Sequence, residues 1–255
     1  MMKAFDVAVI TICAALYAVV GYITSFGLTF GGVAFWPAAF IPAIFAVVFG
    51  PWIGGIGAAI GIFIRDIAYH GDPLLSLTAG VTANFAAFFV IGYISRTDFD
   101  RKKTVLGLIV GSIIILTGLL LPTLLLPSES ASFTLFSASF TLILFASLTG
   151  VSLLLFSIIA RYWREFRSFG VASVIGQGVG ATIVAVGVWA YSQLFYAPIG
   201  YFKSPISSTF VPIIFVWTFA TEIPFVLLLG PPMIKACYLA FPFLRERRKA
   251  EEKAK

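Results

Sequence analysis

Apolar residues run through this chain in long blocks, broken by short polar or Gly-Pro punctuation. A helix that crosses a bilayer needs about 20 consecutive, mostly apolar residues. Eight blocks are candidates: Phe5 to Phe26, Phe35 to Phe49, Trp52 to Tyr69, Leu75 to Ser95, Thr104 to Leu126, Phe133 to Ala160, Phe169 to Tyr196 and Ser207 to Leu229. The second and third are short and meet at Gly50-Pro51. The second also carries Pro37 and Pro42, and proline inside a helix removes a backbone donor and usually bends it. Strands are disfavoured, because the blocks are long and do not alternate, and an open sheet in lipid leaves backbone groups unpaired. Gly230-Pro231-Pro232 is expected to break the last helix, leaving Met233 to Leu244 as a short interfacial helix around Lys235. The pattern predicts an all-α polytopic bundle, with a transmembrane domain over residues 1–244 and a charged cytoplasmic tail over residues 245–255.

Composition agrees. Of 255 residues, 60% are hydrophobic and 11% charged, against about 25% charged in soluble domains; the mean hydropathy is +1.03. Such a chain cannot cover a soluble surface, which excludes a cytosolic enzyme, a disordered protein and a nucleic-acid binder. The partner this implies first is the lipid bilayer. Two cysteines, Cys13 and Cys237, are too few for a disulfide framework.

Charge placement tests the count of spans. With Lys3 inside, three groups fall on the same side: Arg96, Arg101, Lys102 and Lys103; Arg161, Arg164 and Arg167; and the basic residues of the tail from Arg245 onward. The opposite loops offer only Lys203. The positive-inside rule then predicts an even number of spans and a multi-pass protein of the cell membrane with both termini cytoplasmic. The first block is expected to be a retained helix, since no polar cleavage region follows it.

The catalytic inventory is thin. The chain has no G-x-x-x-x-G-K-[ST] and so no phosphate-binding loop for nucleotide. Gly176-Gln177-Gly178-Val179-Gly180 lies inside a span, where close helix packing is the better account. One histidine, His70, and no Cys or His cluster give no metal-ligand set. The acidic residues Asp6, Asp66, Asp72, Glu129, Glu165 and Glu222 are scattered rather than paired. No enzyme, metal or cofactor is expected.

The informative stretch is Trp36 to Ser95. Gly54, Gly57, Ala58 and Gly61 form a small face that lets another helix come close. Arg65 lies about 20 Å along the helix from Trp52, in the outer third of the bilayer, with Asp66 beside it. A charge at that depth tends to face a wet cavity or a partner; the plainer alternative is snorkelling to the interface. Tyr69, His70 and Asp72 carry the polar cluster outward.

These residues resemble a known family. Pro37, Pro42, Phe49-Gly50-Pro51, Gly54, Gly57, Gly61, Arg65-Asp66 and Gly92-Tyr93 make a pattern similar to the substrate-binding S component of energy-coupling factor (ECF) transporters. In helix one, Ala14 and Ala18 form an A-x-x-x-A of the kind with which S components dock on the transmembrane coupling subunit. The resemblance covers roughly the first 100 residues. It implies capture of a vitamin or similar small nutrient outside the cell, then ATP-driven import with the coupling subunit and two cytoplasmic ATPases. S components usually have a six-helix core, against the eight apolar blocks counted here.

The expected ligand residues are Arg65, Asp66, His70, Trp36, Asn84 and Tyr69; the expected docking residues are Ala14 and Ala18. Aromatic rings at Tyr22, Phe26, Phe30, Phe35 and Trp36, and at Trp189, Tyr191, Phe195, Tyr196, Tyr201 and Phe202, read either as an interfacial belt or as a sandwich for a flat ligand. The glycine-rich Ser25 to Ala34 reads as a candidate lid. Glu222 is placed about 22 Å along its helix from Ser207, towards the inner side and away from Arg65. It is either a functional carboxylate or a hydrogen-bonded packing residue. The competing functional class is a stand-alone ion-coupled secondary transporter with Glu222 as its coupling group.

Overall fold

The computed structural model describes residues 3–26, 29–30, 33–97, 101–125, 138–195 and 205–246. Helix α1 (Ala4–Thr24) leads through a two-residue-per-strand hairpin, β1 (Thr29–Phe30) and β2 (Val33–Ala34), into a single 3₁₀ turn (Pro37–Ala39) and helix α2 (Phe40–Val48). Then come α3 (Pro51–Tyr69), α4 (Pro73–Ile94), α5 (Arg101–Leu125), α6 (Ala138–Arg161), α7 (Arg167–Leu194) and α8 (Val211–Ala240). Among the described residues, six helical segments are long and apolar enough to cross a bilayer: α1, α3, α4, α6, α7 and α8. The expected fifth block coincides with α5, a helix of 25 residues.

Three expectations are corrected. The hairpin is strand where none was foreseen, and it sits in a connection rather than in a span. The second block is not a full crossing: residues 37–48 give about 18 Å of helix, short of the roughly 30 Å hydrocarbon core. It starts beside Tyr17, whose ring lies 5.5 Å from that of Trp36, and ends beside Phe5, whose ring lies 6.3 Å from Phe49. The chain therefore still returns to the end where α1 begins, but leaves the other end of the bundle uncovered above Trp36.

The third correction concerns the last helix. It runs unbroken through Pro224, Pro231 and Pro232 as α8, with no separate helix starting at Met233. Neighbouring helices support proline-bearing membrane helices by packing around them. Here the Phe169 ring fills the space beside Gly230, where a Cβ would come within 2.3 Å of it. Thr221 donates to the carbonyls of Trp217 and Thr218.

Close packing holds the bundle together, since lipid tails are as apolar as the side chains and give helices little hydrophobic reason to associate. A Cβ at Gly57 would meet Cys13 Sγ at 2.7 Å, and one at Gly61 the Ala14 carbonyl at 2.8 Å. The small face of α3 is thus the seat of α1. Ala14 and Ala18, expected to dock a partner, are buried on the inward face of α1, with Ala14 against α3. The outward face of α1 presents Ile12, Leu16, Val19 and Ile23 instead.

At the α2–α3 turn, Gly50 has φ 128°, a backbone region open to glycine, and Pro51 starts α3 where no N–H is needed. The Arg96 Nη2 donates to the Val47 and Val48 carbonyls at 3.3 and 3.4 Å, satisfying acceptors that the end of α2 leaves open. Ser168 donates to the Ser95 carbonyl, and Glu165, Lys235 and Arg245 line a hollow with Ser95. The described basic segments therefore gather at one end of the bundle, opposite Arg65.

Candidate functional site

The short α2 creates the site. Because Trp36 sits at the depth of Tyr17 rather than at the membrane surface, the space above it is a hollow of about 590 Å³, including its open mouth. Its walls come from β2, α3, α4, α7 and α8. Trp217 Nε1 donates to the Val33 carbonyl at 2.8 Å and pins the hairpin to α8 as one wall. Trp36, Arg65, Asp66, His70 and Asn84, all expected from sequence, line this hollow together.

Arg65 is 5% exposed. Its Nη1 donates to Asp66 Oδ1 at 3.2 Å, and its guanidinium carbon lies 4.7 Å from the Trp36 ring centre and 4.1 Å from that of Tyr69. Cation–π contact and one ion pair hold it off the lipid. Tyr69 contributes as this stacking partner and is itself 40% exposed. Among the described residues, Arg65 Nε and Nη2 have no hydrogen-bond partner. Buried donors without partners are costly, so this guanidinium holds two bonds in reserve.

Asp66 is held from three sides. Its Oδ2 accepts from Ser76 Oγ at 2.8 Å and lies 3.9 Å from His70 Nε2, while Oδ1 takes Arg65. Ser76 opens a π-helical segment, Ser76–Val81, within α4. Such bulges shift the face a helix presents. This one brings Gly80 against Asp66 as well, and Asn84 Nδ2 donates to the Gly80 carbonyl at 2.8 Å.

A second chain of bonds was not foreseen. Trp36 Nε1 donates to the Tyr17 hydroxyl at 2.6 Å, and that hydroxyl donates to Asn84 Oδ1 at 2.5 Å. Tyr17 is wholly buried and ties α1 to α4 through the floor of the hollow. In sequence it is one more aromatic in an apolar block; only its spacing from Ala14 and Ala18, on the same face, set it towards the interior.

Glu222 also lines the hollow, with Thr218. The hollow reaches far enough to include Glu222 because α2 begins deep, while the ion pair of Arg65 is with Asp66. Gln177 of α7, 2% exposed, lies within electrostatic reach of Glu222.

At the mouth, Asp72 caps α4, accepting from the Leu74 and Leu75 N–H groups at 3.0 Å each and from the Tyr191 hydroxyl of α7. Its own N–H donates to His70 Nδ1 at 3.1 Å. Burial pushes the Asp72 carboxyl up, but the bonds from Tyr191, Leu75 and Leu74 outweigh it and leave its pKa below the ordinary value.

The family model for the S component of the ECF-type riboflavin transporter matches residues 1–163, more than half of the 255-residue chain. The chain belongs to this S-component family. An S component is a transporter subunit and not an enzyme, and the all-α multi-pass architecture accords with that. No curated protein and no solved structure gives a significant match.

The matched residues of this S component hold the Trp36, Arg65, Asp66, His70 and Asn84 walls; Glu222 and Gln177 lie beyond them. The aromatic residues divide. Trp36 is in the hollow, whereas Tyr22, Phe26 and Phe195 are turned outward and Phe35 packs edge-on against Phe225. Gln193 donates to the Ile206 carbonyl at 2.9 Å and joins the end of α7 to the start of α8. Gly176 and Gly180 pack against α4 at Ile91 and Ala87. Gly27, Gly31 and Gly32 of the expected lid, and Tyr196, Tyr201 and Phe202, lie outside the described residues.

Proposed function

We propose that this S component captures riboflavin, or a flavin close to it, in the hollow beneath the β1–β2 hairpin. It then passes the ligand inward with a transmembrane coupling subunit and two ATPases. The observation that carries the reading is the buried Arg65 guanidinium, which keeps two donors without a partner in a side chain that lines a hollow closed below by Trp36. The apolar walls Ile62, Val184 and Val188 suit the faces of a flat ring, and a few placed polar groups give it orientation. The basic end of the bundle would face the cytoplasm, which turns the mouth of the hollow outward. The chain has no nucleotide-binding loop, which supports a division of labour with ATPase partner subunits.

Glu222 lies in the same hollow as Arg65. That favours a contact with the ligand over a separate ion path, and makes the secondary-transporter reading the weaker one. The test is direct: purify the protein in detergent, strip it, and titrate riboflavin, following quenching of flavin fluorescence. Saturable binding with one flavin per chain is expected. A protein that takes up no flavin and releases an unrelated metabolite on denaturation would end the reading.

A further inference from the structure

We propose that the Nε–Nη2 edge of Arg65 reads two adjacent hydrogen-bond acceptors on the ring of the captured ligand. The inference rests on flavin capture and deepens it by assigning which part of the ring meets which atoms of the chain.

A guanidinium offers its donors along edges, and Nε–H and Nη2–H lie side by side along one of them, pointing the same way. The two Arg65 nitrogens without a partner are this pair, while Nη1 is occupied by Asp66. The free edge is also held in place. Asp66 is fixed by Ser76, by His70 and by the contact with Gly80, and the guanidinium packs against the Trp36 and Tyr69 rings. Donors fixed before binding lose little freedom when the ligand arrives. A fork of two parallel donors matches two neighbouring acceptors, the geometry by which arginine reads the O6/N7 edge of guanine.

An isoalloxazine ring carries two such edges, each a ring nitrogen beside a carbonyl: N5 with the C4 carbonyl, and N1 with the C2 carbonyl. A free carboxylate offers the same acceptor pair. The ring edge is favoured because the guanidinium already stacks on aromatic side chains, and because the same hollow holds Asp66 and Glu222, which would repel a free carboxylate, beside the apolar Ile62, Val184 and Val188. Lysine, a point charge, cannot bridge two acceptors in this way.

The experiment compares riboflavin with 5-deazariboflavin and 1-deazariboflavin, each of which replaces one ring nitrogen by C–H, on the purified wild-type protein. One of the two analogues is expected to bind about tenfold more weakly or worse, and the other about as well as riboflavin. In Arg65→Lys that difference is expected to shrink to about threefold or less. Equal binding of all three compounds by the wild type overturns the edge assignment and leaves flavin capture standing. No binding of riboflavin, with a carboxylic acid found in the purified protein instead, overturns flavin capture and the ring-edge assignment together. The wild-type comparison needs no variant, so misfolding of Arg65→Lys cannot obscure the answer.

Discussion

Gly80 has no side chain where Asp66 needs room: a Cβ at Gly80 would lie 2.6 Å from Asp66 Oδ2. The contact exists because the π segment turns Ser76 and Gly80 of α4 to the same carboxylate. Gly80→Ala should therefore push Asp66 away and free Arg65 from its position. Flavin affinity is expected to fall at least tenfold, which fluorescence titration measures. Unchanged affinity would mean that Asp66 does not position Arg65.

Arg65→Ala removes the two reserved donors and leaves Asp66 its bond from Ser76. Charge-assisted hydrogen bonds are worth about 1.5–3 kcal/mol each, so the loss of two should lower affinity by roughly 100-fold or more. The melting temperature in detergent is the control, and it should change little. Retained affinity in a folded variant would remove Arg65 from the site.

Tyr17→Phe keeps the ring that packs on Trp36 and Phe88 but removes the hydroxyl between Trp36 Nε1 and Asn84 Oδ1. Interhelical hydrogen bonds inside membranes are worth roughly 0.6–2 kcal/mol. The variant should melt a few degrees lower and bind flavin more weakly. Trp36→Phe should reproduce part of the loss, and the double variant should fall short of the sum of the two.

Gly50→Ala places a side chain at φ 128°, at a cost of about 1–3 kcal/mol. The strain lies at the far end from the hollow. A thermal melt should show clear destabilisation, while the riboflavin affinity of the folded fraction stays near that of the wild type.

The pH dependence follows from Asp72, whose folded pKa is lowered. Its contribution to stability is present above the unfolded value of about 3.9 and is lost as pH falls through the lower folded value. Wild type and Asp72→Asn should differ most in melting temperature above about pH 5, and the gap should close on acidification. A gap that widens in acid would contradict the assignment.

Much of this protein could be read from local sequence. Long apolar blocks fix membrane helices because a bilayer demands internal backbone bonding over a set length, and the glycines of α3 mark a close helix contact because only small residues permit one. Arg65 and Asp66 stand out because charges at membrane depth are expensive and need a reason; His70 continues their cluster outward, Trp36 offers an aromatic ring and Asn84 a hydrogen-bonding amide.

What counting along the chain could not give is depth and facing across helices. The partial α2 is set by where Trp36 lodges against Gly21 and Tyr17. That lodging decides how deep the hollow goes, and so brings Glu222 into it. The π segment, the inward turn of Ala14 and Ala18, and the passage of α8 through three prolines likewise arise from contacts between residues far apart in sequence. Hydropathy and helical period describe one helix at a time; the site is made by the offsets between helices, and only tertiary packing sets those.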